Sequence, residues 1–294
     1  MIIKFQPIAI KKIWGGNKLS KIYGISSSKI GEIWGISTYK SNSTKIVNTS
    51  YKNITLRELY ESHKELFGYY SKEEFPILMK VIDAVKDLSV QVHPDDEYAN
   101  KEESSYGKDE CWYILDVYSK DNNIIIGHNA KNKSELSNLI KNESYDRLLK
   151  RITINIGDYF YISAGKIHAI CKYTTVLEIS QSSNITYRLY DYNRLDNGVL
   201  RDLHIKKAYG VISTPDYLTL QKNPGKYFTD SLKENLVDSN HKAHKYGDYI
   251  YIKEGFGQFD NTQVKAGDFI MATSLSEYII IGEIKYIIVN LVDF

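Results

Sequence analysis

Two cysteines among 294 residues, Cys111 and Cys171, are too few for a disulfide framework and too far apart for a CxxC pair. No run of 18 or more apolar residues occurs, so a hydrophobic spanning helix is excluded. The opening MIIKFQPIAIKKIWGG is broken by Lys4 and Pro7 before it becomes apolar enough for a secretory signal. An excess of one charge is missing too. The 38 basic and 36 acidic residues leave a net charge of +2, and the basic ones are scattered rather than clustered. Nothing in that balance calls for nucleic acid. Low-complexity segments are absent. These absences predict a cytoplasmic globular protein that engages neither membrane nor nucleic acid. A small anion stays open as a ligand, because it needs only two or three local cations.

What is present is mostly strand. FPILMKVIDAV (75–85), LSVQVH (88–93), CWYILDVY (111–118), NIIIG (123–127), DYFYIS (158–163), TTVLEIS (174–180) and ITYRLY (185–190) are rich in β-branched and aromatic residues. Short polar turns separate them, as in a β sandwich or barrel. Two helical segments interrupt the pattern, at about 55–68 and 134–150. The first opens with a capping box, Thr55 with Glu58, and stops at Gly68. The second spaces Leu136, Leu139, Ile140 and Leu148 on one apolar face, with a break expected between Asn142 and Tyr145. Pro215, Pro224, Gly225 and the polar run SLKENLVDSNHKAHKYGD suggest a boundary. The expected division is 1–213, carrying the helices, and an all-β unit over 214–294. INIGDYFYIS (154–163) and VKAGDFIMAT (264–273) share a strand-Gly-Asp-strand pattern, which hints at two copies of one β module.

The stretch LSVQVHPDD concentrates the chemistry. Alternation along a strand sends Ser89, Gln91 and His93 to one face and Leu88, Val90 and Val92 to the other. Glu110 opens a following strand, and His168 stands on a strand just after a glycine turn. Two imidazoles, a carboxylate and an amide oxygen suit Zn²⁺ with one position left open. A lone His-Pro at a strand end more often marks a turn; the combination carries the reading. Cys111 and Cys171 alternate away from Glu110 and His168, toward the core. Asp95 and Asp96 read as caps of the helical turn DDEYANKEE.

Gly157, Gly165 and His168 fit the second motif of the cupin family, a small β barrel, with Ser163 in place of its usual proline. PILMKVIDAVKDLSVQVHPDDEYA, GKDECWYILD, GDYFYISAGKIHAI and LEISQSSNITYRLYDYNR, with WGG and GEIWGIS upstream, closely resemble the type I phosphomannose isomerase family in its short bacterial form. The likeness is strong over about 1–210.

The resemblance implies a mainly β protein of two cupin-type barrels (jelly rolls) with a helical insertion. It implies a zinc-dependent aldose–ketose isomerase that interconverts mannose 6-phosphate and fructose 6-phosphate. One zinc per chain would sit on Gln91, His93, Glu110 and His168. Lys80, Ser89 and Arg194 fall where relatives hold the substrate phosphate, while Arg188, Glu178 and Lys108 match catalytic positions. The proton shuttle stays open between Glu178 and a metal-held water. Arg188 has a structural alternative, pairing with Asp191 or Asp202. Asn184 stands where close relatives often carry Asp. A cupin-type glucose-6-phosphate isomerase and a non-catalytic sugar-phosphate sensor are the rival readings. The expected partner is a sugar phosphate, and the expected state a monomer or weak homodimer. VKAGDFIMAT is followed by no histidine, and His241 and His244 precede the strands, so the C-terminal unit is expected to bind no metal.

Overall fold

A computed structural model describes residues 1–217, 228–233 and 239–292. Pro224 and Gly225, two marks of the expected boundary, lie outside the described residues, as does part of the polar run.

The strands of the first two thirds are β1 (Ile2–Gln6), β2 (Ile8–Gly16), β3 (Ile30–Ile36), β4 (Lys45–Ile46), β5 (Ile77–Ala84), β6 (Val90–Val92) and β7 (Glu110–Val117). β8 (Asn123–His128), β9 (Leu149–Thr153), β10 (Tyr159–Ile162), β11 (His168–Ile170), β12 (Thr174–Gln181) and β13 (Tyr187–Tyr190) follow. A small hairpin, β14 (Leu195–Asp196) and β15 (Val199–Leu200), comes next. The remainder holds β16 (Phe228–Lys233), β17 (Ser239–Lys242), β18 (Asp248–Phe259), β19 (Thr262–Lys265), β20 (Phe269–Ala272) and β21 (Glu277–Leu291). The helices are α1 (Lys18–Ile22), α2 (Leu56–Ser62), α3 (Asp96–Glu103), α4 (Lys133–Lys141), α5 (Tyr145–Leu148) and α6 (Ile205–Val211).

A six-stranded sheet, β10-β7-β12-β5-β3-β2, faces a five-stranded sheet, β13-β6-β11-β8-β9. Between them Ile82, Trp112 and Val176 from the first meet Ile124, Ile126 and Ile170 from the second. The period of two then decides every other position. Met79, Val81, Cys111, Tyr113, Leu177 and Ile179 turn to the far face of the larger sheet, where they pack on Tyr249, Phe269, Met271 and Ile287 of the C-terminal sheet. Val90, Val92, Ala169, Tyr187 and Leu189 turn outward from the smaller sheet and are covered by Leu136, Leu139 and Ile140 of α4 and Ala208 of α6. Both sheets are thus buried on both faces, and any polar residue at an inward position must find a partner.

The third sheet runs β16-β21-β18-β20-β1-β4, with β17 on β21 and β19 on β18. The N-terminal strand belongs to it: Ile2 and Lys4 pair with Ala272 and Ile270. Gly35 allows its close approach to the six-stranded sheet, since a Cβ there would lie 2.1 Å from the Phe269 ring. The repeat is structural as well as sequential. Gly157 and Gly267 both adopt φ near +90°, at 91° and 92°. In both turns the following aspartate accepts a backbone N–H three residues back, Asn155 to Asp158 at 2.7 Å and Lys265 to Asp268 at 2.8 Å.

The seven strands read from sequence correspond to β5, β6, β7, β8, β10, β12 and β13. The capping box at Thr55 forms, and α2 continues into a 3-10 turn, Lys64–Phe67, ending at Gly68 with φ +62°. Asp95 caps α3 through Tyr98 N–H. The second helical segment breaks between α4 and α5 as expected, but it stops earlier than expected: residues 149–153 are strand, because Ile152 in LKRIT pairs with Ile124 of β8. Leu88 also departs from its expected face. It precedes the first strand residue, Val90, and packs with Ile82 and Trp112 instead of with the valines.

Candidate metal and substrate site

Six of the residues singled out from sequence stand at inward positions of the facing sheets: Lys80 on β5, Gln91 on β6, Glu110 on β7, His168 on β11, Glu178 on β12 and Arg188 on β13. Register brings them level. Lys80 pairs with Glu178, Gln91 with both His168 and Arg188, and Glu110 with Ser180. His93 follows β6, where its carbonyl accepts Gly165 N–H at 2.8 Å. Gly165 has φ +81°, and a Cβ there would lie 2.5 Å from Ser213 Oγ, so only glycine fits this clamp.

His93, Glu110 and His168 are buried and converge, each offering a ligand atom within 4.8 Å of the others. His168 Nδ1 donates to the Lys166 carbonyl at 2.9 Å, which leaves the Nε2 lone pair facing Glu110 Oε1 at 3.3 Å. His93 Nε2 lies 3.4 Å from Glu110 Oε2. His93 Nδ1 and Glu110 Oε1 are buried without hydrogen-bond partners among the described residues. Gln91 brings its amide to 3.3 Å from His168 Nε2, and Ser89 Oγ donates to the other amide atom at 3.4 Å. An unsatisfied buried carboxylate oxygen facing the His168 Nε2 lone pair, in an N₂O donor set, is the condition that a divalent cation relieves, and the residues present fit one. Burial, then the nearby Lys108 ammonium, push the His93 imidazole down to about 3. Burial also lowers His168, against the pull of Glu110. Both rings are therefore neutral, as ligands must be.

Beside this trio a row of alternating charge crosses the barrel. Lys12 lies 3.3 Å from Glu32, Glu32 3.7 Å from Lys80, and Lys80 3.1 Å from Glu178. Lys108 completes it, 3.0 Å from Glu178 and 2.6 Å from Glu110. Burial alone would raise the Glu110 carboxyl; the Lys108 ammonium outweighs it and holds it well below the usual range. Burial disfavours the Lys108 charge, yet Glu110 and Glu178 together push its pKa above the ordinary lysine value.

Arg188 is half-buried, and its Nε has no hydrogen-bond partner among the described residues. Asp191 does not pair with it. That carboxylate is taken by Arg194 and Arg201. Arg194 also donates to the Asp87 carbonyl, so its guanidinium is engaged at the start of the β6 segment.

Three contributors went unnoticed in the sequence. Glu32, in GEIWGIS, alternates inward with Trp34, whose Nε1 donates to it at 2.8 Å; a charge inside an otherwise apolar strand was the available signal. Asp109 holds the loop, accepting Ala164 N–H at 2.7 Å and Tyr161 OH at 2.8 Å. Arg201 had no signal beyond its charge. Cys111 and Cys171 are buried thiols, as expected of core residues.

Among known proteins, the family model for the catalytic domain of type I phosphomannose isomerase matches residues 2–142. Mannose-6-phosphate isomerase ManA of Bacillus subtilis is 47% identical over 214 residues, spanning 72% of this chain and 68% of that protein. A mannose-6-phosphate isomerase of Streptococcus mutans is 44% identical over 221 residues, 72% and 70% of the two chains. The crystal structure of the mannose 6-phosphate isomerase from Bacillus subtilis superposes with a TM-score of 0.92 at 35% identity, covering 98% of this chain and 99% of that one.

Proposed function

The chain belongs to the type I phosphomannose isomerase family, and on that premise we propose that it is a zinc-dependent enzyme interconverting mannose 6-phosphate and fructose 6-phosphate. The observation that carries the reading is the convergence of His93, Glu110 and His168 beside the buried Lys80, Glu178 and Lys108 row. Gln91, His93, Glu110 and His168 would hold the metal, Gln91 by turning its amide oxygen inward. When bound, zinc supplies Lewis-acid polarisation of a substrate oxygen, a contribution of several kcal/mol.

The remaining roles fall to the chain itself. Isomerisation moves a proton between C2 and C1, and Glu178 is the carboxylate placed to carry it. Lys80 and Lys108 flank that carboxylate at 3.1 and 3.0 Å and fix its orientation. Arg188 would stabilise the oxygen that gains charge as the proton leaves, its guanidinium staying protonated. Lys80, Ser89 and Arg194 form the phosphate-binding set, and holding the phosphate fixes the distant reacting carbons.

The test is a coupled assay on mannose 6-phosphate with protein stripped by chelator and then reloaded. Turnover should vanish on chelation and return with zinc at about one ion per chain, as expected of one four-ligand site. Full turnover in protein shown by metal analysis to hold none would overturn the proposal.

A further inference from the structure

Asp191 gathers more positive charge than it can neutralise. Its carboxylate is almost fully buried and accepts Arg201 Nε–H at 2.7 Å, together with short contacts from the Nη2 groups of Arg194 and Arg201. Arg188, three residues earlier, adds a third guanidinium. Burial first, and the charge of Arg201 second, depress its pKa below the ordinary arginine value. Asp202 acts on Arg188 as well, so two carboxylates stand against three guanidiniums and the cluster keeps a net positive charge.

Register gives that surplus a direction. Arg188 pairs with Gln91 and Tyr190 with Val90. The ladder ends there, with Asp191 the next residue after β13 and Ser89 the residue just ahead of β6. Arg194 meanwhile binds the Asp87 carbonyl just ahead of Ser89. The arginine cluster therefore closes the end of β6 that carries the expected phosphate donor. The buried Nε of Arg188, without a hydrogen-bond partner among the described residues, lies on the same strand opposite Gln91.

We infer that Arg201 is a further ligand of the substrate phosphate, held ready in the free protein by Asp191 acting as a stand-in anion. This rests on the isomerase reading and adds to it a residue and an exchange: the phosphate takes over the guanidinium hydrogen bonds that the carboxylate occupies. An anionic phosphate suits the net positive charge, and a guanidinium fork suits its paired oxygens. Neutralising Asp191 does not by itself require Arg201, because Arg194 already pairs with that carboxylate.

The experiment uses the full chain, metal-loaded, and the variants R201Q, R201K and D191N. KM and kcat for mannose 6-phosphate are measured, along with binding of inorganic phosphate by titration calorimetry. R201Q should raise KM and weaken phosphate binding by ~10-fold or more, the scale of one lost charge-assisted hydrogen bond, with kcat within about twofold of wild type. R201K should recover part of the loss. D191N frees both arginines and should bind phosphate several-fold more tightly. Unchanged KM and phosphate binding in R201Q would overturn the inference, as would a fall in kcat at constant KM. If R201Q does not fold, D191N decides: phosphate binding equal to or weaker than wild type refutes the exchange. Absence of turnover in the wild type would instead refute the isomerase reading, while phosphate titration still tests Arg201.

Discussion

Lys108→Met removes one ammonium and keeps a side chain of similar length. Lys108 Nζ stands 2.6 Å from Glu110 and 3.0 Å from Glu178, with all three groups buried. At an effective dielectric constant near 20 each contact is worth roughly 6 kcal/mol of attraction, much of it offset by the cost of dehydrating the ammonium. In the variant Glu178 keeps Lys80 at 3.1 Å, but Glu110 keeps only two neutral imidazoles. Removing one partner of a buried pair costs about 3–5 kcal/mol, so the chelated variant should lose that much in urea unfolding. Metal reverses the sign of the comparison. A divalent cation supplies the missing charge and no longer competes with an ammonium 2.6 Å from one of its ligands. Reloading should therefore stabilise K108M more than wild type, by about 1.4 kcal/mol for each tenfold gain in metal affinity. The acid limb should change as well. In wild type Glu110 is held below its unfolded value, so its contribution is full above about pH 4.3 and is lost as pH falls through the folded value. Without Lys108 that dependence should flatten. A chelated K108M as stable as wild type, or a metal-induced gain no larger than that of wild type, would refute the reasoning.

Arg188→Ala should retain its metal while turnover falls at least ~100-fold, the scale for losing one electrostatic stabiliser; His168→Ala should lose both, and metal analysis beside the assay separates them. The chelated wild type should lose stability as pH drops from about 6.5 toward 3, because the unfolded chain takes up a proton that folded His93 refuses. That slope reaches about 1.4 kcal/mol per pH unit from His93 alone, His168 adds in the same direction, and a urea midpoint unchanged between pH 7 and 5 would contradict it. Gly165→Ala should destabilise by about 1–3 kcal/mol from positive φ and overpacking against Ser213 and Val211. It should also weaken zinc retention by loosening the clamp on the His93 carbonyl, which a metal titration would read.

Strand alternation makes the inward set legible in the sequence, since a period of two fixes which side of a strand faces in. Lys80, Gln91, Glu110, His168, Glu178 and Arg188 are all readable on that basis or by family likeness. Lys108 is the hardest of the site residues to read, because a loop has no period; its place between Glu110 and Glu178 depends on the Asp109 contacts to Tyr161 and Ala164. Glu32 and Arg201 escape for another reason. Glu32 meets Lys80 from another strand, and Arg201 returns to Asp191 around the β14–β15 hairpin, so only the folded chain brings either pair together. Residues 149–153 show a local preference overruled, their helical continuation yielding to the ladder with β8.

The placement of β1 has a consequence for how the chain is made. Met1 and Thr273 hydrogen-bond across 272 positions, and β1 lies between β20 and β4 in its sheet. At about 5–20 residues per second, β1 leaves the ribosome on the order of 15–50 s before β20. Throughout that interval Ile3 and Phe5, both fully buried at the end, have no C-terminal sheet to enter, and one edge of β1 stands open. The strands around the metal ligands lie within residues 77–190 and can pair long before then. A nascent chain should thus acquire its inner barrel early and close its N-terminal seam last. A holding chaperone, or a slow stretch of translation, would act on β1 rather than on the residues that do the chemistry.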